Sequence, residues 1–424
     1  MPINPIIIDT TIQAYGVVGP TYGNILIIGR DAGGVAADDT VVQCNNLSEV
    51  ATNFGDTTDI YYAAENIFSQ GIFRVWAIRV SQTAVVAESV TEGSVDVLAN
   101  YPVSGLPAPT LGSGDTVVYT FGVPTDPGAG FGMLNPLTGQ IWINGAATDA
   151  INYSYTDWSA IEDVIEEEEI DIICLAEAEG DAQWYGEVDS VLDLCDTHKW
   201  ILPIRSDPTA AAADIVTDFG NYSSRNMVAV ASKALGANED LNAAVAGMIA
   251  MVEPWNKIMW KRLQDITPTG YFTRDEVEST LEVGNVNVVI DKQAANRMSD
   301  GLTTAGGDYK YVDTTRTQYW LEENIINDLS LLIQNNQLPY TQTGITEVQS
   351  TIERTCESAV AVGAIRAPWV DGNGVGQVGY VVQVPSFNDI PDADRVNRIL
   401  QNVYVTVYFA GHIQSITLNL AIQL

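Results

Sequence analysis

The pattern of apolar and polar positions predicts alternating strands and helices in the first part of the chain. Residues 24–28 are an apolar run that reads as a strand, and a Gly-rich turn follows it. A strand over 41–43, a helix over 48–54, a longer helix ending before Gly71 and a buried strand over 73–80 come next. This alternation is typical of an α/β layer.

Residues 82–157 have a different pattern. Gly, Pro, Thr and Asp become dense, and short alternating runs occur at 117–122, 140–144 and 151–155. A period of two predicts half-buried strands, so this region is interpreted as a β-rich insertion. The α/β pattern returns after it, and capping boxes over 159–162 and 273–276 predict two helix starts.

The last third combines long helices with strands. Amphipathic helices are predicted over 319–334 and from Thr346 to Val360, and β segments over 380–384, 403–409 and 413–424. In the last segment every second residue is apolar to the end of the sequence; these are Ile416, Leu418, Leu420, Ile422 and Leu424, preceded by Ile413.

The first twenty residues are apolar and β-branched but too few to form a core, so they are predicted to be an extended arm. Its apolar positions are Ile3, Ile6, Ile7, Ile8 and Ile12. Unpaired strands at chain ends fray or associate with other chains. Either both ends pair inside the monomer, which is the simpler alternative on this pattern alone, or each completes a sheet in a neighbouring copy.

Together these patterns predict an α+β fold with mixed α/β layers, a β-rich insertion and extended terminal β arms. The predicted regions are an N-terminal arm (1–20), an α/β domain (21–81 with 158–300), the insertion (82–157) and a C-terminal domain (301–424) that ends in an arm over about 413–424.

The excess of acidic over basic residues argues against anionic binding partners. The 424 residues include 54 Asp and Glu against 19 Lys and Arg, a formal net charge of -35. Such a chain repels phosphate backbones, anionic lipid and other copies of itself, so neither nucleic-acid binding nor membrane insertion is expected. Molar salt shortens the Debye length to about 3 Å and removes the repulsion. The excess of acid therefore favours a salt-adapted protein over an acidic surface tuned only for solubility.

Candidate catalytic and metal-binding residues are sparse. His198 and His412 are the two histidines, and they read as a helix-end residue and a turn residue. The four cysteines lie far apart, without a Cys-x-x-Cys pair, and are expected to be buried thiols in a reducing compartment. No cationic N-terminal region or apolar run of 18 residues is present, so a protein made in the cytoplasm is expected.

Three further motifs have structural interpretations that are favoured over functional ones. The loop over 29–34 lacks the Lys that a phosphate loop requires, and the loop over 371–376 has Val375 where a calcium loop needs an oxygen ligand. The acidic run over 166–169 is interpreted as a solvated helix face. No catalytic residue, cofactor or resident metal is predicted, although cations could screen or bridge the acidic surface.

Several stretches together resemble the contractile tail sheath proteins of phages, archaeal viruses and related injection systems. They are Asn24-Ile-Leu-Ile-Ile-Gly29, Gly71-Ile-Phe-Arg-Val-Trp76-Ala-Ile-Arg79-Val, the Phe272-Thr-Arg-Asp-Glu276 helix leading to Gly284-Asn-Val-Asn287, Arg316, and the closing Tyr408-Phe-Ala-Gly411-His-Ile-Gln-Ser-Ile-Thr417. Each motif is short, and Tyr311-Val-Asp313 stands where the family often has Trp-Gly.

The resemblance implies a structural subunit and not an enzyme. Sheath proteins form stacked hexameric rings around an inner tail tube, between a baseplate and a tail terminator, and their terminal arms complete sheets in adjacent subunits. The resemblance favours strand exchange by both arms and an outward-facing position for the insertion over 82–157. It also implies a virion tail that assembles in the host cytoplasm and contracts to deliver the genome. The excess of acid, and not the resemblance, favours a halophilic host. The alternatives are another self-assembling shell, such as a surface layer or a capsid, and an α/β enzyme with a pocket near Gly29 or Ile204.

Overall fold

The computed structural model describes residues 6–8, 23–31, 33–91, 93–101, 103, 109–119, 123–136, 138–144, 148–176, 187–236, 238–335 and 338–411. The chain divides into two compact units. Unit 1 consists of residues 1–22, 252–259 and 306–424, and unit 2 of residues 23–251 and 260–305. A short middle segment of the sequence is therefore part of the same unit as the two chain ends.

The strands of the described residues are numbered in chain order. They are β1 (Ile6–Ile8), β2 (Ile25–Gly29), β3 (Val42–Cys44), β4 (Val75–Arg79), β5 (Thr83–Thr91), β6 (Val95–Val97), β7 (Thr110–Leu111), β8 (Thr116–Tyr119), β9 (Phe131–Leu134), β10 (Gln140–Ile143), β11 (Thr148–Tyr155), β12 (Ile172–Leu175), β13 (Leu202–Arg205), β14 (Met227–Ala231), β15 (Asn287–Asp291), β16 (Asn296–Met298), β17 (Trp369–Val370), β18 (Gly376–Gln377), β19 (Tyr380–Gln383) and β20 (Tyr404–Val407).

The helices are numbered in the same way. They are α1 (Leu47–Phe54), α2 (Asp59–Ser69), α3 (Trp158–Ile165), α4 (Val188–His198), α5 (Ala212–Phe219), α6 (Leu241–Ala250), α7 (Arg274–Glu276), α8 (Val312–Asn335), α9 (Gln342–Ala361) and α10 (Asp392–Asn397). A π-helical turn (Val277–Leu281) continues α7, and short 3-10 turns occur at Gly307–Tyr309 and Phe387–Asp389. None of the helices in the described residues has the length and apolar character of a membrane span.

Unit 2 is built on two mainly parallel sheets, with strand orders β12-β2-β4-β3 and β13-β14-β15-β16. A bridge between Ile172 and Ile201 connects them. Leu26 and Ile28 of β2 face a core that includes residues of α3, α4 and α5. Ile25 and Ile27 point the opposite way, because side chains alternate along a strand. The other helices in contact with β2 are α2 and α6, so the sheet is covered on both faces, which is the usual state of parallel sheets.

The β-rich region follows β4 in unit 2. It consists of the sheets β6-β10-β9-β8 and β5-β11-β7, with Val90, Leu134, Ile141 and Ile151 among the residues of its core. The sequence pattern predicted β8, β10 and β11 but missed the nine-residue β5. Ala87 has a positive φ of 56°, and the pairing of β5 with β11 shifts register between Ile151 and Tyr153. This irregularity interrupts the period of two on which the prediction depended.

Two predicted helix starts have different outcomes. At Thr273 the capping box is confirmed, because its side chain accepts from the Glu276 backbone while the Glu276 carboxylate accepts from the Thr273 backbone. The box predicted at Ser159 is wrong. Asp157 is the cap of α3 and accepts from the Ala160 backbone, while the Ser159 hydroxyl donates to Asp157 over 2.7 Å. Both a carboxylate and a hydroxyl can accept from the backbone at a helix start, and in α3 the Asp157 carboxylate is the acceptor.

Unit 1 packs the α8 and α9 helices against a small sheet of order β1-β20-β19. Helix α8 begins at Val312, earlier than the predicted start at 319. Its first turns contain the buried polar residues Asp313, Arg316 and Gln318, which break the apolar periodicity. The Arg316 side chain donates to the backbone oxygen of Val252 over 2.9 Å, and this contact joins the 252–259 segment to the helix. The predicted mixed α+β class is confirmed.

Candidate assembly interface

The three-stranded sheet of unit 1 contains the described part of the predicted N-terminal arm. β1 runs antiparallel to β20, with Ile6 opposite Val407, Ile7 opposite Thr406 and Ile8 opposite Val405. On its other side β20 pairs antiparallel with β19, from Tyr380 opposite Val407 to Gln383 opposite Tyr404. The arm is thus the outer strand of a sheet whose centre is β20.

Alternating residues of β20 anchor this sheet to the helices. Val405 and Val407 are buried among residues of α8 and α9, while Tyr404 is half exposed. A bridge between Ile365 and Phe409 continues the pairing beyond β20. Within the described residues, β19 and β1 each have one strand neighbour. Both outer strands therefore present backbone groups that an additional strand can pair with.

The predicted strand-exchange residues are only partly within the described residues. Ile6, Ile7 and Ile8 form β1, and in this single chain they pair with β20 of the same chain. The other predicted positions lie outside the described residues: Ile3, Ile12, Ile413, Ile416, Leu418, Leu420, Ile422 and Leu424. Exchange between copies stays a prediction for all of them.

The loop that follows β2 is the segment of the sequence that most resembles a phosphate-binding loop. Here the Arg79 guanidinium donates to the backbone oxygens of Gly33 and, over 2.6 Å, of Ala36, and it forms an ion pair with Asp38. The loop presents carbonyl oxygens to its own cation, whereas a phosphate loop presents N–H groups to an anion. The described contacts of the loop are therefore structural ones.

Next to this loop lies a buried ion pair that sequence reasoning missed. Arg30 and Glu187 pair with side chains that are 6% and 0% exposed, and Arg30 also donates to the Thr156 hydroxyl over 3.1 Å. Burial lowers the pKa of the Arg30 guanidinium, an effect that Glu187 opposes. The partners are 157 positions apart, so no spacing signal could have revealed them. The pair connects the ends of β2 and β11 with the start of α4.

The remaining candidate residues have structural roles. His198 ends α4, where its Nε2 lies 2.7 Å from Glu162 Oε1 and its ring stacks on Trp200 at 4.5 Å. His412 lies outside the described residues. The loop over 371–376 joins β17 to β18 as a hairpin, and backbone donation from Val375 and Asn373 lowers the pKa of the Asp371 carboxyl.

The cysteines lack the properties of reactive thiols. All four are buried and free, as predicted. Burial raises the pKa of Cys356 to about 12, and it raises the pKa values of Cys174 and Cys195 well above the ordinary range. A nucleophilic cysteine needs a lowered pKa. The part of the chain that the structure describes also contains no group of three or more His, Cys, Asp or Glu placed to hold a metal ion.

Comparisons with known proteins match part of the chain to a described family. Residues 312–422 match the family described as "E217 tail sheath protein gp31-like, C-terminal domain". No curated protein matches the sequence significantly.

Among solved structures, the contracted helical sheath of the anti-feeding prophage is similar with a TM-score of 0.60 and 13% identity, covering 98% of this chain and 97% of that chain. The contracted sheath of the extracellular contractile injection system PVC has a TM-score of 0.62 and 10% identity, covering 97% and 96%. The sheath tail protein from Listeria innocua has a TM-score of 0.51 and 12% identity, covering 93% and 97%.

These findings confirm the resemblance that the sequence motifs indicated. The chain has the fold of contractile tail sheath proteins, and its residues 312–422 carry the sheath C-terminal domain signature. That matched segment includes α8, α9 and the sheet strands β19 and β20, which form the core of unit 1. Two of the three strands of the candidate interface, β19 and β20, therefore lie in the segment that matches the sheath family.

Proposed function

We propose that this chain is the structural subunit of a contractile tail sheath. It polymerises helically, as stacked hexameric rings, around an inner tail tube and between a baseplate and a tail terminator. Contraction then drives the tube through the host envelope for genome delivery. The observation that carries the proposal is the sheath fold, which extends over 97–98% of the chain in comparisons with two contracted sheaths.

The proposed mechanism needs no cofactor. Contacts between different surfaces of identical subunits generate open helices when the rotation does not close a ring. The free energy for contraction is the difference between the interfaces of the extended and the contracted helix. Each compact unit can move as a rigid body during such a change, because packed cores switch between arrangements more readily than they deform.

Strand exchange is the proposed link between subunits. The pairing of β1 with β20 within one chain supplies the geometry for it, because an identical segment of a neighbouring copy can take the same place and form the same backbone hydrogen bonds. At about 0.5 to 1.5 kcal/mol per hydrogen bond, a strand of several bonds contributes a few kcal/mol. That is enough to keep neighbours connected while weaker contacts reform.

The test of the function is microscopy of the purified full-length protein. Negative-stain images should show hollow tubes with a regular helical lattice. Planar sheets would favour a surface layer, icosahedral particles a capsid, and dispersed monomers at every salt concentration would contradict the proposal.

We also propose that the tail belongs to a virus of a halophilic host. Support comes from the net charge of -35 on each of many closely packed copies. Assembled sheaths should lose their order when dialysed into millimolar salt with a chelator, because neither screening nor bridging cations then offset the repulsion. Sheaths that remain ordered under these conditions would disprove the salt requirement.

A further inference from the structure

Unit 2 carries a cluster of cations in a chain that has 54 acidic and only 19 basic residues. Residues 260–263 run along β16, with the Leu263 backbone donating to Asn296 over 2.9 Å. Lys292 follows β15 directly, and Arg297 lies in β16. We call Lys261, Arg262, Lys292 and Arg297 the basic patch.

The geometry of the patch keeps like charges together. Arg262 is paired directly opposite Arg297, an arrangement that destabilises a sheet when both side chains carry the same charge. The Arg297 guanidinium donates to the backbone oxygens of Lys292 over 3.1 Å and Trp260 over 2.9 Å. The Lys292 ammonium lies 3.3 Å from the centre of the Trp260 ring. Carbonyl oxygens hold Arg297 and an aromatic face holds Lys292, and neither contact neutralises the cation.

The patch has no carboxylate partner within the described part of the chain. Asp265 lies two residues after the 260–263 segment, and Asp291 is the last residue of β15. None of the four cations forms an ion pair with either of them or with any other described carboxylate. Four bases outside the patch, Arg30, Arg79, Arg274 and Arg395, each pair with an acid. The patch differs from single bases because it brings four cations without an acid partner together on adjacent segments, which makes a local site for an anionic partner.

Two exposed aromatic side chains lie beside the patch. Trp260 is 41% exposed and Tyr271 is 44% exposed. The Tyr271 hydroxyl donates to Asn296 over 2.7 Å, which fixes its ring next to β16. Tryptophan, tyrosine and arginine are the residues most enriched where protein interfaces derive their binding energy. The surface therefore has the composition of a protein contact and not only of a charged solvent face.

We propose that the basic patch binds a second copy of this chain, at the acidic run Glu166–Glu169. The four glutamates of the run are exposed, and among the described residues only one of their carboxylates has a partner, Glu168 with the Trp76 indole at 3.1 Å. This inference rests on the proposed function, because it supplies a contact between subunits. Copies with a net charge of -35 repel each other over most orientations. A local match of opposite charges selects the orientation in which they can associate.

The experiment reverses charges in the full-length protein. The patch variant is Lys261→Glu with Arg262→Glu, the run variant is Glu166→Lys with Glu167→Lys, and a third protein combines all four substitutions. The matched control, Arg274→Glu with Arg354→Glu, reverses two exposed bases outside the patch and changes the net charge as much as the patch variant. Sedimentation velocity at a fixed salt concentration measures self-association, circular dichroism verifies folding, and micrographs record tubes.

We expect the patch variant and the run variant to associate at least about tenfold more weakly than the wild type, since two attractive contacts become repulsive. The combined protein should regain most of the affinity, and the control should match the wild type. Wild-type-like association of the patch variant, equal loss in the control, or no recovery in the folded combined protein would overturn the proposal. So would a wild type that is monomeric at all salt concentrations.

The readouts separate this inference from the proposed function. A wild type that associates through the patch into particles without a helical lattice would contradict the sheath proposal and leave the contact intact. Tubes that form equally well with the patch variant would support the sheath and remove the contact. Binding of a polyanion such as heparin at the patch, with no change in self-association, would assign the surface to a different partner and count against a second copy.

Discussion

The mainly parallel sheets of unit 2 and the small sheet of unit 1 differ in how their strands are buried and paired. In unit 2, β2 and β14 are buried along their whole length and lie between parallel neighbours. In unit 1, the β1-β20-β19 sheet has strands of three or four residues, and its centre strand alternates between exposed and buried positions. The central strands of the unit 2 sheets are therefore paired on both sides and buried within one chain. The unit 1 sheet has shorter strands and its outer strands β1 and β19 each have one neighbour, which makes it suited to exchange between copies.

Removal of the C-terminal arm should have the largest effect. Deleting residues 413–424 should abolish tube formation and leave soluble monomers, because the deletion removes the strand proposed to join a neighbour while the buried sheet of unit 2 stays intact. Micrographs and sedimentation velocity measure the two outcomes. In a matched pair, Ile416→Asp with Leu418→Asp should act like the deletion, and Thr417→Ser with Asn419→Ser should not. Ordered tubes from the truncated protein would contradict strand exchange by this arm.

Breaking the buried ion pair of unit 2 should have the next largest effect. Glu187→Gln leaves the Arg30 guanidinium buried without its counter-charge, and removing one partner of such a pair costs about 3–5 kcal/mol. Urea unfolding monitored by circular dichroism measures the loss. The double substitution Arg30→Met with Glu187→Leu should recover much of the stability, because it leaves no buried charge. If both proteins lose the same stability, packing and not charge determines the effect.

Substitutions at one buried position of unit 2 and one edge-strand position of unit 1 test the comparison between the sheets of the two units. Ile27 is fully buried at the centre of β2, whereas Val381 of β19 is 37% exposed. Ile27→Ala should lower the free energy of unfolding by about 2–5 kcal/mol, and Val381→Ala by no more than about 0.5 kcal/mol. Urea denaturation of each variant measures both values. Similar losses at the two positions would mean that the edge strand is as firmly packed as the core.

The same contrast explains what the sequence could predict. Buried strands such as β2 and β4 are continuous apolar runs, and the Thr273 cap is a local motif, so both could be read from neighbouring residues. Contacts between distant positions could not. The Arg30–Glu187 pair and the opposition of Arg262 to Arg297 depend on how strands are brought together, and the 252–259 segment belongs to unit 1 through a bond to Arg316. Composition gave one relevant signal. With 19 basic against 54 acidic residues, each basic residue is a candidate for a specific contact.

The smallest expected effect is a difference in ionisation between two tyrosines, one in each unit. The pKa of Tyr153 is raised to about 12, because burial disfavours the phenolate and because the hydroxyl donates to Glu88 over 2.5 Å. Burial and Glu357 also raise the pKa of Tyr380 in β19, which is less buried. Ultraviolet titration of Tyr153→Phe and Tyr380→Phe, each against the wild type, should show that Tyr153 ionises at the higher pH.

The sign of the stability effect follows from the direction of the pKa change. The folded protein holds the Tyr153 proton more tightly than the unfolded chain does, so the contribution is fully present below the ordinary tyrosine pKa of about 10. It is lost as the pH rises through about 12. Wild type should therefore lose stability relative to Tyr153→Phe over this interval, and a constant difference between the two proteins would show that Tyr153 ionises as freely in the folded insertion as in the unfolded chain.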